Sequence, residues 1–319
     1  MDALEKFINV PGIPMQHHET YAQLLLFTDQ YEKAGNQIKY VLSKDPDNLI
    51  MMRLQAYNNF RLEKYDVGLE QMQKFLAVMP AERHIYQDYT TLAQLALKEK
   101  QNQKALDAFR KAFEMDTTKY ELYREMGSIA LGLKMYSEAI DFYEKFLLKA
   151  PEPEPFDFLN LGISYLNAAA YYITPENFNA AKSSEEFEEF EGKFKYFVFN
   201  GDKAYQELIK KKPELHYGYI GRANIISLIH QFDINKGRKS EWLAKPLFEE
   251  AIPILQKNNE NGEKNKDILT AYSFLLAYYV NAEDKPNMAN CAKNILQLDP
   301  KNEAAIQTLT YLKKLNFKL

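Results

Sequence analysis

Five histidines, one cysteine and a short acidic run are the side chains of this sequence most suited to metal binding, nucleophilic attack or proton transfer. None is spaced for it. His17, His18, His84, His216 and His230 belong to no HExxH pair, no metal-spaced Cys/His cluster and no recognisable triad. His17 and His18 are neighbours, so on a helix they point roughly 100° apart and would not share one ion. Cys291 falls near the middle of a predicted helix with no histidine close in sequence, which suits a small core residue at least as well as a reactive thiol. Glu185, Glu186, Glu188, Glu189 and Glu191 have the composition of a calcium or basic-partner site. The phenylalanines between them favour a helix that buries its rings and turns its glutamates to water. With no GxGxxG or Walker loop either, no nucleotide site is indicated. The expectation is a chain with no catalytic residues, no metal, no cofactor and no enzymatic activity.

The elements that would position any other kind of site are helices. Only 12 glycines and 13 prolines interrupt 319 residues, while Leu, Ala, Lys, Glu and Gln recur between them. Aromatics reach 13%, with 22 tyrosines, enough large apolar surface for a long, thin core. The 40 basic and 44 acidic residues are interspersed, giving a net charge of -4 and a pI near 5.9, which is no design for coating nucleic acid. No run approaches the length of a transmembrane helix, and MDALEKFINVPG is not a signal peptide. The chain is expected to be soluble, cytoplasmic by default and exported only if an upstream leader precedes it. One cysteine allows no intrachain disulfide and does not fix the compartment.

Helix ends recur: LSKDPDN (42–48), LAVMPAE (76–82), LLKAPEP (147–153), IKKKPEL (209–215) and LQLDPKN (296–302). Proline cannot continue a helix and a polar residue after it can open the next, so each is a joint between helical hairpins. Pro46 and Pro80 are 34 residues apart; Thr117 fills the next slot 37 residues on, and Pro151 follows after another 34. Twelve residues before the joints stand Ala34, Gly68, Ala105, Ala139 and Gly201, with Ala244 in a repeat that lacks the proline. Earlier again come Ala22, Ala56, Ala93, Gly127, Gly162 and Ala223. Helices approach to roughly 8–10 Å only where the crossing side chains are short. Tyr89, Tyr123, Phe158, Tyr219 and Tyr272 in first helices, with Phe109, Tyr143, Tyr205 and Phe248 in second helices, would wedge the hairpins together.

The pattern large-x-x-Leu-small-x-x-small, visible as Tyr89, Leu92, Ala93, Ala96 and as Tyr123, Met126, Gly127, Ala130, resembles the tetratricopeptide-repeat (TPR) family, of the type found in bacterial scaffolds. The resemblance implies an all-α fold, a right-handed superhelical solenoid of antiparallel helix pairs with about seven hairpins. They are expected at 15–48, 49–82, 83–119, 120–153, 155–215, 216–260 and 266–302, with a partial leading helix in 1–14 and a C-terminal capping helix in 303–319. The stretch from Ala3 to Val10 resembles the second helix of a hairpin, so the natural chain is expected to extend upstream or to dock a partner there.

Departures gather in the C-terminal half. The fifth hairpin carries an insertion in which Ser183 and Glu186 have capping-box spacing, and Phe187, Phe190, Phe194 and Phe197 form one helical stripe; it is expected to add turns to a long second helix. The sixth has a loop from Gln231 to Glu241 and Pro246 in its second helix, expected to kink it or lie in its first turn. The seventh has Leu276 and Met288 where small residues belong.

In a TPR superhelix the first helices line a concave wall. By this register Glu19 and Gln23, Arg53 and Tyr57, Thr90 and Gln94, Arg124 and Ser128 form a polar stretch, followed by Leu159, Ile163 and Ile220 as an apolar one ending at Asn224. The Lys and Asn set with which chaperone-binding TPRs grip a terminal carboxylate is absent. The expected function is a scaffold that binds a peptide or protein partner in this groove, with Arg53 and Arg124 meeting acidic groups. The alternative is an array that self-associates through its terminal hairpins.

Overall fold

The computed structural model describes residues 6–8, 10–179, 183–257 and 259–318. Part of the 1–14 leading segment, residues 180–182 before the inserted helix, and Asn258 and Leu319 of the expected repeats lie outside that set. The described residues form helices and turns with no strand, paired antiparallel along the chain. They divide into two compact units, 1–135 and 136–319.

The first unit contains α1 (Met15–Phe27), α2 (Tyr31–Lys44), α3 (Leu49–Arg61), α4 (Tyr65–Val78), α5 (Tyr86–Lys98), α6 (Asn102–Met115) and α7 (Glu121–Gly132). α1 packs on α2, α3 on α4 and α5 on α6, and each pair packs on the next. The small residues explain the closeness: Ala22, Ala34, Ala56, Ala93 and Ala105 have no exposed surface. A Cβ on Gly68 of α4 would sit 2.9 Å from Leu95 Cδ2 and 3.4 Å from Asn59 Cβ, so this crossing is filled to contact. Residues 6–8 are helical, with Ile8 buried in a cluster with Tyr21, Leu25 and Ala34.

Five of the turns inside the hairpins use a residue other than glycine in the left-handed region. Asp29, Glu63, Lys100 and Lys134 have φ of 57°, 59°, 57° and 62°, and Glu283 in the second unit has 56°. In each case the next residue's N–H reaches back five positions, as in Gln30 to Leu25, Lys64 to Asn59 and Gln101 to Ala96. This bond satisfies a carbonyl the helix end would otherwise leave open.

The second unit contains α8 (Tyr136–Lys149), α9 (Pro155–Tyr171), a short α10 (Pro175–Phe178), α11 (Ser184–Lys211), α12 (His216–Asn235), α13 (Lys245–Lys257), α14 (Asn265–Asn281), α15 (Lys285–Leu298) and α16 (Glu303–Lys314). The fifth expected hairpin is α9 with the 28-residue α11, which starts at a reciprocal cap between Ser183 and Glu186. Its added turns carry Phe187, Phe190 and Phe194 against Phe178 and against Phe232 of α12; Phe194 and Phe232 stack with centroids 4.3 Å apart. Further along α11, Tyr205 lies between two glycines on different helices: a Cβ on Gly162 or on Gly221 would come within 2.7 or 2.3 Å of its ring. That ring is what the two glycines make room for.

Pro246 lies in the first turn of α13, whereas Pro253 lies inside it. In the seventh hairpin Leu276 and Met288 are buried, and Ala271, Ala289 and Ala292 supply small residues to the same core. Among the described residues no helix is long and apolar enough to cross a membrane.

Candidate partner-binding faces

The first helices of the first unit, α1, α3, α5 and α7, carry two parallel series of the expected groove residues, and the two series have different fates. Gln23, Gln94 and Ser128 are exposed, and Tyr57, at the same repeat position, is half-buried. The companions four residues earlier turn to their neighbours. Glu19 accepts from Asn48 Nδ2 (2.7 Å), and Asn48 in turn caps α3 by accepting from the Met51 N–H (3.0 Å). Thr90 is buried and donates to the Gln87 carbonyl (3.2 Å). Arg124 is half-buried.

Arg53 is drawn in most tightly, by a residue the sequence reading did not single out. Asp88, in the first turn of α5, has no exposed surface. Its Oδ2 accepts from the Ile85 N–H (2.9 Å), closing the start of α5, and from Arg53 Nη2 (3.0 Å). Its Oδ1 accepts from the Tyr57 hydroxyl (2.5 Å), while Arg53 Nε lies 2.9 Å from Oδ1 without the alignment of a hydrogen bond. Arg53 Nη2 also donates to the Arg83 carbonyl (2.9 Å), and its guanidinium lies over the Phe75 ring. Burial, and then the bond to Asp88, hold the Tyr57 hydroxyl protonated far above the usual tyrosine range. The desolvation cost of a carboxylate so placed is offset by the charge and donors that meet its lone pairs. Asp157 at the start of α9 repeats the local part of this motif, accepting from the Glu154 N–H (2.7 Å) at 3% exposure.

In the second unit the apolar stretch is not a wall. Leu159 and Ile220 are buried in core clusters, and Ile163 and Asn224 are half-buried. The reason is that α9 packs on α8, on the long α11 and on α12, so its apolar positions are consumed on several sides.

The acidic run divides as well. Glu185, Glu186, Glu188 and Glu189 are exposed, but Glu191 is buried, which corrects the expectation that all five face water. Its carboxylate accepts from Arg238 Nη1 and Lys236 Nζ (both 2.8 Å) and pairs with Lys195 Nζ (2.7 Å). Arg238 first, then Lys195 and Lys236, hold its carboxyl well below the ordinary glutamate range. Lys236 also sits 4.1 Å over the Phe187 ring. The loop after α12 is thereby tied to the inserted turns of α11. Beyond this tie, Ser240 Oγ is hydrogen-bonded to His230 Nδ1 (2.6 Å). Trp242 lies against His230 with centroids 3.8 Å apart and the planes tilted by 34°, and meets Phe274 and Tyr278 edge-on.

The remaining reactive types pack. His18 pairs with Gln37 (2.7 Å), and His84 bridges Tyr89 and the Met79 carbonyl. Cys291 is buried, and that burial, with Glu249 and Asp284 adding to it, pushes its thiol up to about 12, the opposite of an activated nucleophile. Among the described residues no three His, Cys, Asp or Glu side chains group so as to hold a metal.

No protein-family model and no curated protein matches the chain. Solved structures do. The C-terminal part of a TPR repeat-containing protein from Cytophaga hutchinsonii is 22% identical over 91% of this chain and 99% of its own, with a TM-score of 0.60. A tetratricopeptide repeat protein from Parabacteroides merdae (14% identical, 93% and 97% covered, TM-score 0.46) and YrrB, a TPR protein with an unusual peptide-binding site (18%, 68% and 95%, 0.49), resemble it more loosely. Together with the stacked antiparallel pairs, the first of these likenesses shows that the fold is that of the TPR proteins.

Proposed function

We propose that this chain is a non-enzymatic scaffold that holds a peptide or protein partner against the face made by α1, α3, α5 and α7. The observation that supports this reading is the outward series Gln23, Gln94 and Ser128, exposed at one repeat position on three helices, with the Tyr57 ring at the same position between them. Amides and a hydroxyl at regular intervals suit a partner's main chain, and a half-buried ring gives a platform for one of its side chains. Arg53 contributes by holding Tyr57 and α5 in place through Asp88, and Arg124 stands half-buried at the corresponding position of α7. Asn224 is the corresponding candidate in the second unit.

Capture of the partner from native cells with the full chain as bait tests the reading. Gln94→Lys combined with Ser128→Glu should abolish capture at an unchanged melting temperature, and Lys74→Glu on α4 should be tolerated. Loss of capture by Lys74→Glu with retention by the paired first-helix changes would reject this face.

A second reading, self-association through the last hairpin, draws on Val280, Ile306 and Tyr311. All three are exposed, and Val280 and Tyr311 border a cleft of about 370 Å3 between α14, α15 and α16. Sedimentation over a concentration series separates the two: a monomer at every concentration removes the second.

A further inference from the structure

The joint between α4 and α5 is longer than its counterpart earlier in the unit. Residues 79–85 number seven, where the joint between α2 and α3, residues 45–48, has four. The extra residues form a short 3-10 turn, Ala81–Arg83, fixed at three points: Arg53 holds the Arg83 carbonyl, His84 holds the Met79 carbonyl, and Asp88 holds the Ile85 N–H. Beside it, between the second helices α4 and α6, lies an open cleft of about 750 Å3. Tyr89 and Leu92 of α5 line it, and Ala77, Ala81 and Ala108 leave its width unfilled. A joint pinned in this way keeps α4 from collapsing onto α6, so the space exists before anything enters it.

The edge of the cleft is positively charged. Lys104 and Lys111 stand seven residues apart on α6 and so on the same side of the helix, about 10 Å from each other along its axis. Asp107 lies between them, but its Oδ1 is already taken by Arg110 (3.2 Å) and Gln103 (3.1 Å). Lys111 Nζ lies 5.6 Å over the Tyr89 ring, which places the charge at the mouth of the apolar part.

We propose that this cleft is a docking site for an acidic amphipathic segment of a partner protein. Its apolar side chains would seat over Tyr89 and Leu92, and its carboxylates would meet Lys104 and Lys111. The spacing of the two ammonium groups matches carboxylates about two helical turns apart. The cleft opens between the second helices, with Tyr89 and Leu92 of α5 at its base, and it shares no residue with the first-helix series Gln23, Gln94 and Ser128 proposed above, so either can fail alone.

The test uses the full chain, nitrogen-15 labelled, with three capped 14-residue peptides. Each has leucine at i, i+3, i+4 and i+7, and glutamate, glutamine or lysine at the flanking positions. The glutamate peptide should bind saturably and shift the amides of Leu76, Ala77, Lys104, Ala108 and Lys111. The glutamine peptide should bind about tenfold more weakly, the effect of losing two partly exposed ion pairs. Lys104→Glu with Lys111→Glu should transfer the preference to the lysine peptide. Ala77→Trp, at an exposed position, should fill the cleft and block binding, while Gln94→Lys on the first-helix face should leave it unchanged. Should Ala77→Trp prove unfolded by circular dichroism, the charge exchange decides alone. The proposal is overturned if the glutamate peptide does not bind, binds no better than the glutamine peptide, or shifts the amides around Gln23 of α1 and Ser128 of α7 instead.

Discussion

Asp88 in the first unit and Glu191 in the second are both buried carboxylates that bind a cation from another part of the chain, and they are built differently. Asp88 is sealed: one arginine, one tyrosine and one backbone N–H converge on it, and the side chain has no exposed surface. Glu191 is surrounded rather than sealed, with 11% of its side chain exposed and three cations around it, of which Lys195 is largely in water and Arg238 is partly so. The first fixes a joint within the regular repeat; the second fixes a departure from it, the inserted turns of α11 against the loop after α12. A tie between repeats has to be dry to hold one geometry, whereas a tie between an insertion and a loop can rely on excess charge.

The largest expected effect follows from the sealed site. Asp88→Ala should destabilise the protein by about 3–5 kcal/mol in denaturant unfolding, because it strands the Arg53 guanidinium in a partly buried position. Asp88→Leu combined with Arg53→Met should recover much of that loss. If Asp88→Ala costs no more than an exposed substitution, the contrast between the two sites disappears.

Glu191→Gln should cost less, about 1–2 kcal/mol, since its partners can be rehydrated. The sign of its pH dependence is fixed by the cations around it. They depress the folded-state pKa, so the stabilisation is complete above the ordinary glutamate value of about 4.3 and is lost progressively as the pH falls below it. Melting temperatures measured down that range should decline less steeply in Glu191→Gln than in the parent.

The smallest effect is a control in which the two regions should agree. Lys100→Gly and Glu283→Gly each relieve a left-handed residue in the same kind of hairpin turn, and each should stabilise by about 0.5–1 kcal/mol in thermal melts. Unequal gains would mean that the turns differ as the carboxylates do.

What could be read in the sequence was whatever is local and repeated. Proline joints and small crossing residues state their role within one period, and Ala22, Ala34, Ala56 and Ala93 are buried where that rule puts them. The Asp88 tie was not legible because it joins a first-turn acid to an arginine 35 residues earlier, and both types are common on exposed helix faces. The five tight hairpin turns carry Asp, Glu or Lys at the left-handed position, so no glycine marks them. Glu191 was misread because a single-stripe helix was assumed, while α11 meets both a neighbouring helix and a returning loop. Of the groove residues, register placed Gln23, Gln94 and Ser128 on an open face. It could not distinguish them from Arg53 and Thr90, one turn away, whose surroundings are set by the next hairpin.

Trp242 is the only tryptophan in the chain, and it stands in the loop after α12 with φ of 52°, its ring tilted against His230. Its fluorescence is therefore a private signal: it follows that loop and its aromatic bed, whereas far-ultraviolet circular dichroism averages over every helix. A gap between the two unfolding midpoints would measure, with no label added, how separately that corner of the protein lets go.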